Sequence, residues 1–289
     1  MYKYIIAVDA AADIDETFFQ ENDIYVFPME YSLSESMVWC RDMESEEKLK
    51  AFYLSQKNGE LTKTSQITPY LYSQYAEPFL KKDLSILYIT LSSGLSSTYQ
   101  SACLAAEDLK ETYPEADFLP LDSLAATGGM GILAERAVNN QKKGMDLRQN
   151  YEDLQSAAAH LQHWFLVSDI QYLRRGGRIN SSSAAIASVL SIKPILQIDQ
   201  NGKLPVIGKA RGTKAAVKEL LKHYKQTYVP SDDPIYICHA DAPDTADLLE
   251  KKILELTPNV VIRKRMLSPI IGAHTGPGMA SIIHLGTKR

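Results

Sequence analysis

The stretch 84-LSILYITLSSGLSSTYQSACLAAEDL-109 decides the fold. Its first seven residues, Leu84–Thr90, are apolar or β-branched except for Ser85 and read as a buried strand, while Ala102, Cys103, Ala106 and Leu109 recur at helical spacing. Between them lies SSGLSS, residues 92–97, with Ser96 or Ser97 placed to cap the helix. A strand passing through a short polar turn into a helix is the repeating unit of a parallel sheet, because parallel neighbours need a helical crossover.

The same grammar appears twice more in the first half. YKYIIAV (residues 2–8) is followed by Asp13 and Glu16 at capping-box spacing ahead of a short helix. ADFLPL (residues 116–121) is followed by Thr127 and then GGMGILAERAVNN, with Met130, Leu133, Ala134 and Ala137 on one face and Gly144 to stop it. This half therefore reads as an α/β domain with a mostly parallel sheet covered on both faces.

Asp146–His163 reads as one more helix, with Leu147, Tyr151, Leu154, Ala158 and Leu161 at the apolar spacing. Beyond it the pattern changes. HWFLVSDI is a strand, ILQIDQNGKLPVIGKAR reads as strand, Asn201-Gly202 turn and strand, and PIYICHA and NVVIRKRML are strands separated by helices. A hairpin demands antiparallel pairing, so the second half reads as an α+β domain. We place the boundary near residue 160, giving domains 1–160 and 161–289. The segment NSSSAAIASVLSIKP, residues 180–194, has no charge before Lys193 and reads as a buried helix, either closely packed on a sheet or leaving room for an apolar ligand.

Composition narrows the function. The 289 residues are 45% hydrophobic, enough for sizeable cores, and a net charge of −4 argues against an extended nucleic-acid surface. Cys40, Cys103 and Cys238 are odd in number, widely spaced and without CxxC spacing, so disulfides and structural zinc are not expected and a reducing cytoplasm fits best. The first residues contain too short an apolar run for a signal peptide and read as a first strand. No apolar run approaches the roughly 18 residues of a membrane span.

Three enzyme signatures fail on spacing. DIDET (residues 13–17) matches DxDxT, but its first Asp does not end a strand, and acids in a helix's first turn account for it. GELTKTS lacks the glycine spacing of a phosphate-binding P-loop. SSGLSS lacks the flanking glycines of a nucleophile elbow, although Ser92 or Ser93 with His274 remains open as a hydrolytic pair.

Four polar loops are left. SSGLSS sits where a strand ends and a helix begins, so it is either a serine-rich cap or a site for an anion or carboxyl group. KTSQITP supplies Thr64, Ser65 and Gln66 before a helix started by Pro69. IGAHTGPGM holds His274 among three glycines and a proline, which reads as a turn. YLRRGGRI places Arg174, Arg175 and Arg178 around a glycine pair, as a solvated face or a dock for phosphate or an acidic partner.

In this order, from KTSQ through SSGLSSTYQSA, LDS before a glycine-rich helix start, YLRRGGRI, SIKPIL with GKLPVIGKARGTKAA, to HTGPGM, the chain closely resembles the DegV family of fatty-acid-binding proteins. The resemblance implies a two-domain DegV-like (EDD) fold with a long-chain fatty acid held between the domains and no cofactor. It places the ligand's carboxyl group on Thr64 and Ser65, on Ser92 and Ser93 with Gly94, and on His274 with Thr275. It also implies a non-catalytic role as the lipid-carrying subunit of a bacterial fatty acid kinase, presenting the acid to a separate kinase for acyl-phosphate formation. Arg174, Arg175 and Arg178 are then the candidates for contact with that partner or the new phosphate. The chain departs from the family where DST(A) becomes Asp9, Ala10, Ala11 and Ala12, and where the glycine after GLS becomes Ser97. The competing readings are a serine/histidine hydrolase of acyl esters and a ligand-sensing module.

Overall fold

The computed structural model describes residues 3–33, 36–40, 45–180 and 191–289. The apolar helix expected at residues 180–194 falls largely outside them. In chain order the first half runs β1 (Tyr4–Asp9), α1 (Glu16–Gln20), β2 (Ile24–Phe27), β3 (Met29–Leu33), β4 (Ser36–Cys40), α2 (Glu46–Lys57), β5 (Thr64–Ser65), α3 (Pro69–Leu80), β6 (Ser85–Thr90), α4 (Thr98–Thr112), β7 (Phe118–Asp122), α5 (Gly128–Lys142) and α6 (Leu147–Ala158). The second half runs β8 (Leu161–Leu166), α7 (Gln171–Arg175), β9 (Ile192–Gln197), β10 (Val206–Arg211), α8 (Thr213–Thr227), β11 (Ile235–His239), α9 (Pro243–Leu256), β12 (Ile262–Met266), α10 (Pro269–Thr275) and β13 (Ala280–Leu285).

The first half carries a four-stranded sheet in the order β2-β1-β6-β7, with every pair parallel. Strands β1 and β6 are near-continuous apolar runs because both faces of this sheet are covered. The second half carries a six-stranded sheet, β10-β9-β8-β13-β11-β12, antiparallel except for β11 with β12. The β9–β10 hairpin turns at Asn201-Gly202, where Gly202 takes a φ of 69°.

Helix α5 joins the layers. It packs on β1 and β6 of one sheet and on β11 and β13 of the other, which leaves it almost no solvent face. That closeness needs small residues: a Cβ on Gly128 would come within 2.6 Å of the Tyr236 side chain.

Local details differ from the sequence reading. The N-cap of α1 is Asp15, whose side chain accepts from the Phe18 amide, and not Asp13. Ser97 does cap α4 by position but makes no side-chain bond, and the buried stripe there uses Ala105 in place of Cys103 and Ala106. The helix starting at Leu147, closed by an Asp146/Gln149 capping box, ends at Ala158, so Leu161 belongs to β8. A three-stranded antiparallel sheet, β4-β3-β5, was not expected, and it turns Thr64 and Ser65 from loop into strand.

Candidate functional site

A cavity of about 530 Å³ lies among these elements, lined from both halves of the chain. Met29, Leu91 and Ala126 supply apolar wall from the first half, and Phe165, Ile198, Leu204 and Ile283 supply it from the second. Phe165 and His163 on β8 pair with Ser281 and Ile283 on β13, so strand alternation turns all four to one face.

Thr64 and His274 meet at the cavity wall. Thr64 Oγ1 and His274 Nε2 are 2.8 Å apart, while His274 Nδ1 is buried without a hydrogen-bond partner. His274 lies in the last turn of α10 and not in a turn, and the chain reverses just after it, where Gly276 takes a φ of 68°. Burial, with the nearby charge of Arg178, pushes the imidazole down to about 4, so the ring is neutral at pH 7. Thr275 also lines the cavity, its hydroxyl donating to Ile271 O within the helix at 3.3 Å.

The serine loop divides. Ser93 lines the cavity, and its amide donates to Asp122 Oδ1 at 3.1 Å, which fixes the loop against the end of β7. Ser65, Ser96 and Ser97 line it as well. Ser92 and Gly94 do not. Ser92 is fully buried, its hydroxyl donating to Gly202 O at 2.9 Å and accepting from the Gly94 amide at 3.1 Å. A Cβ on Gly94 would stand 2.6 Å from Asn201 O, so glycine is needed for this close approach. These two residues fasten the loop to the β9–β10 turn.

The arginines divide too. Arg178 lines the cavity, with Nε donating to Leu95 O at 3.1 Å and Nη1 to Gly176 O. Together with Thr64 and His274 it also lines an adjoining cavity of about 280 Å³, to which Lys63, Tyr172 and Arg175 contribute. Those three shared residues thus form the partition between the two spaces. Arg175 is exposed and sits over the Tyr172 ring at 4.6 Å, and Arg174 is exposed and lines neither cavity.

A family model described as "Uncharacterised protein, DegV family" matches residues 3–286. The chain belongs to the DegV family. A DegV domain-containing protein of Clostridium perfringens is 34% identical over 290 residues, covering 100% of this chain and 99% of the relative. A Thermotoga maritima structure described as revealing a fatty-acid-binding function superposes with a TM-score of 0.85 at 25% identity, over 99% of this chain and 100% of that one. The fold is also that of the Streptococcus pneumoniae fatty acid kinase B3 protein loaded with linoleic acid, with a TM-score of 0.87 at 19% identity over 99% and 100% of the two chains.

Against this DegV background the alanine departures are explained by position. Ala10, Ala11 and Ala12 are buried in the core and do not line the cavity, so no hydroxyl is lost from its wall. Asp9 beside them accepts from the amides of Ala11 and Leu91 and from Tyr88 Oη, holding the turn.

His163 and Thr127 are among the cavity residues that escaped the sequence reading. His163 is buried, neither ring nitrogen makes a well-formed hydrogen bond among the described residues although the Ala126 backbone lies close to the ring, and burial holds it well below the usual histidine range. It hides in HWFLVSDI because strand periodicity marks which face a residue takes but not that the face borders a cavity. Thr127 holds a φ of 53°, a strained value for a β-branched residue, at the start of α5. Its signal was present in the sequence as a threonine ahead of a glycine pair. Among the described residues no helix is long and apolar enough to cross a membrane, and no group of acids, histidines and cysteines is placed to hold a metal ion.

Proposed function

We propose that this DegV protein holds one long-chain fatty acid in the cavity between two domains, 1–160 and 161–289, with the carboxyl group at the partition. The observation that carries the reading is the cavity itself: apolar wall from both sheets, with Thr64, Ser65, Ser93, His274 and Thr275 supplying uncharged hydrogen-bonding groups. The Thermotoga maritima relative described as a fatty-acid binder supports it. Arg178 adds a permanent cation, so the head group is met as the carboxylate, while the hydroxyls can also accept the acid form. Ser92 and Gly94 act indirectly, by holding the serine loop.

The carrier presents the acid, in the cytoplasm, to a separate kinase that forms an acyl-phosphate. The adjoining cavity, with Lys63, Arg175 and Arg178, suits the phosphoryl group or the partner, and the fold shared with the kinase B3 protein supports this role. A hydrolase is disfavoured because the His274 ring contacts Thr64 and, among the described residues, no carboxylate orients its other nitrogen.

The test is native mass spectrometry of gently purified protein, followed by solvent extraction of what it carries. One fatty acid per chain is expected, with ATP-dependent acyl-phosphate formation on adding a cognate kinase. Empty protein that also refuses oleate and palmitate would overturn the reading.

A further inference from the structure

Helix α10 carries His274, and although it follows β12 in the chain it is held by residues from the first quarter of the sequence. Tyr53 Oη donates to Leu267 O at 2.9 Å, Gln56 Nε2 to Gly272 O at 3.0 Å, and Thr62 Oγ1 to Ala273 O at 3.3 Å. A fourth tie has the opposite polarity. The Ser268 amide, at the N-cap of α10, donates to Asp13 Oδ1 at 2.7 Å. The Ser268 hydroxyl does not cap its own helix, and the Asp13 carboxyl, from the loop between β1 and α1, holds the N-cap amide itself.

Asp13 is buried, and among the described residues its Oδ2 makes no well-formed hydrogen bond, although the Ser268 hydroxyl lies close enough to favour the carboxylate. Ser268 Oγ, which faces the Asp13 carboxyl, and Arg265 Nε are buried without a well-formed hydrogen bond among the described residues, and all three residues line one small space of about 10 Å³. The ionisable groups facing Asp13 are Arg265 from β12, Tyr53 from α2 and Cys238 from β11. Burial pushes the tyrosine and the thiol up, so both are neutral near pH 7. Arg265 is shared with Glu16 of α1 at 3.2 Å. Burial also pushes the Asp13 carboxyl up to about 7, against the pull of the Ser268 amide, the arginine and the Ser268 hydroxyl. Of the four ties described, this is the one whose charge changes near neutrality.

We propose that Asp13 is a positioning residue for the head-group helix: as the carboxylate it grips the first turn of α10 and keeps His274 against Thr64, and protonation loosens that grip. The functional consequence rests on the fatty-acid reading. A charge-assisted hydrogen bond is about twice as strong as a neutral one, so ligand retention should fall as pH drops through 7.

The test is stopped-flow dissociation of cis-parinaric acid from the full chain between pH 6 and 8, for the native protein and Asp13→Asn. The asparagine keeps an acceptor for the Ser268 amide but cannot ionise. Native dissociation should be about tenfold faster at pH 6 than at pH 8, as expected when a charge-assisted bond is weakened, and flat in the variant. Titration of the ligand is common to both proteins and cancels in their ratio. Parallel pH profiles would overturn the inference. Should cis-parinaric acid not bind at any pH, the carrier reading fails on its own. Hydrogen exchange at the Ser268 and Gly272 amides, corrected for intrinsic pH dependence, then decides the tie. Protection lost below about pH 7 in the native protein and constant in the variant supports it, and equal profiles refute it. If the variant does not fold, a flat native exchange profile refutes it.

Discussion

Ser92 and Ser93 are neighbours in one motif, yet the structure gives them opposite jobs, and Ser92→Ala set against Ser93→Ala separates them. The Ser92 hydroxyl is fully buried between Gly202 O and the Gly94 amide, so alanine removes two hydrogen bonds and leaves a half-buried donor and a buried acceptor unpaired. The buried carbonyl costs about 1–3 kcal/mol when orphaned and the half-buried amide about 1, so a loss of roughly 2–4 kcal/mol is expected. For a chain of this size that corresponds to a Tm lower by about 5–12 °C. Ser93 is tied through its backbone amide to Asp122, a bond that alanine keeps, and its side chain faces the cavity. Ser93→Ala should therefore leave Tm within about 1–2 °C, the range of a neutral surface change. It should weaken oleate binding by about tenfold, the worth of one hydrogen bond to a charged group. Thermal denaturation must use delipidated protein, because bound ligand stabilises the folded state by mass action. Displacement of a fluorescent fatty acid reads the affinity. The reverse result, Ser93→Ala destabilised or Ser92→Ala unchanged in Tm but impaired in binding, would refute the division.

The remaining predictions test other contacts. Gly176→Ala would place a Cβ 2.3 Å from His274 Nδ1, so it should displace the ring and weaken oleate binding by at least tenfold, read by the same displacement assay. Arg178→Gln should weaken oleate more at low salt than at high, and should raise the pKa of His274, whose ring NMR signals report the lost neighbouring charge. His163→Met should change stability at neutral pH by no more than about 1 kcal/mol, because it replaces a buried neutral imidazole by an apolar side chain of similar size. Burial depresses the His163 pKa in the fold, so the folded state binds fewer protons than the unfolded chain, and stability falls as pH drops below about 6.5. The methionine variant should lose less over that range, as thermal melts at pH 5.5 and 7.5 would show.

The strand-to-helix grammar was legible because it is local. Leu84–Thr90 and the alanine-rich run after it carry their own periodicity, and the Asn201-Gly202 turn announces its hairpin. What could not be read was which polar residue faces which neighbour. Asp13 and Asp15 are equally good caps by spacing, and a contact with Ser268, 255 residues away, settles their roles. Ser92 and Ser93 are indistinguishable until the β9–β10 turn arrives to occupy one of them. His274 reads as a turn residue because glycines and proline surround it, whereas Pro269 starts a short helix that ends just past it. Thr64 and Ser65 form too short a strand to leave any period at all.

The charge pattern bears on how such a carrier could both hold and surrender its ligand. On the proposed reading, most of the affinity comes from the chain, at about 0.8 kcal/mol for each buried CH₂. The head group meets a neutral imidazole and hydroxyls, each offering an ordinary hydrogen bond. The one cation among the described wall residues, Arg178, already donates to Leu95 O and Gly176 O, so its attraction for a carboxylate is shared with two carbonyls. The polar residues therefore orient the acid at the partition more than they retain it. Because Thr64, Arg178 and His274 face both cavities, a reagent arriving in the smaller one would approach the carboxyl group while the acyl chain stayed buried in the larger.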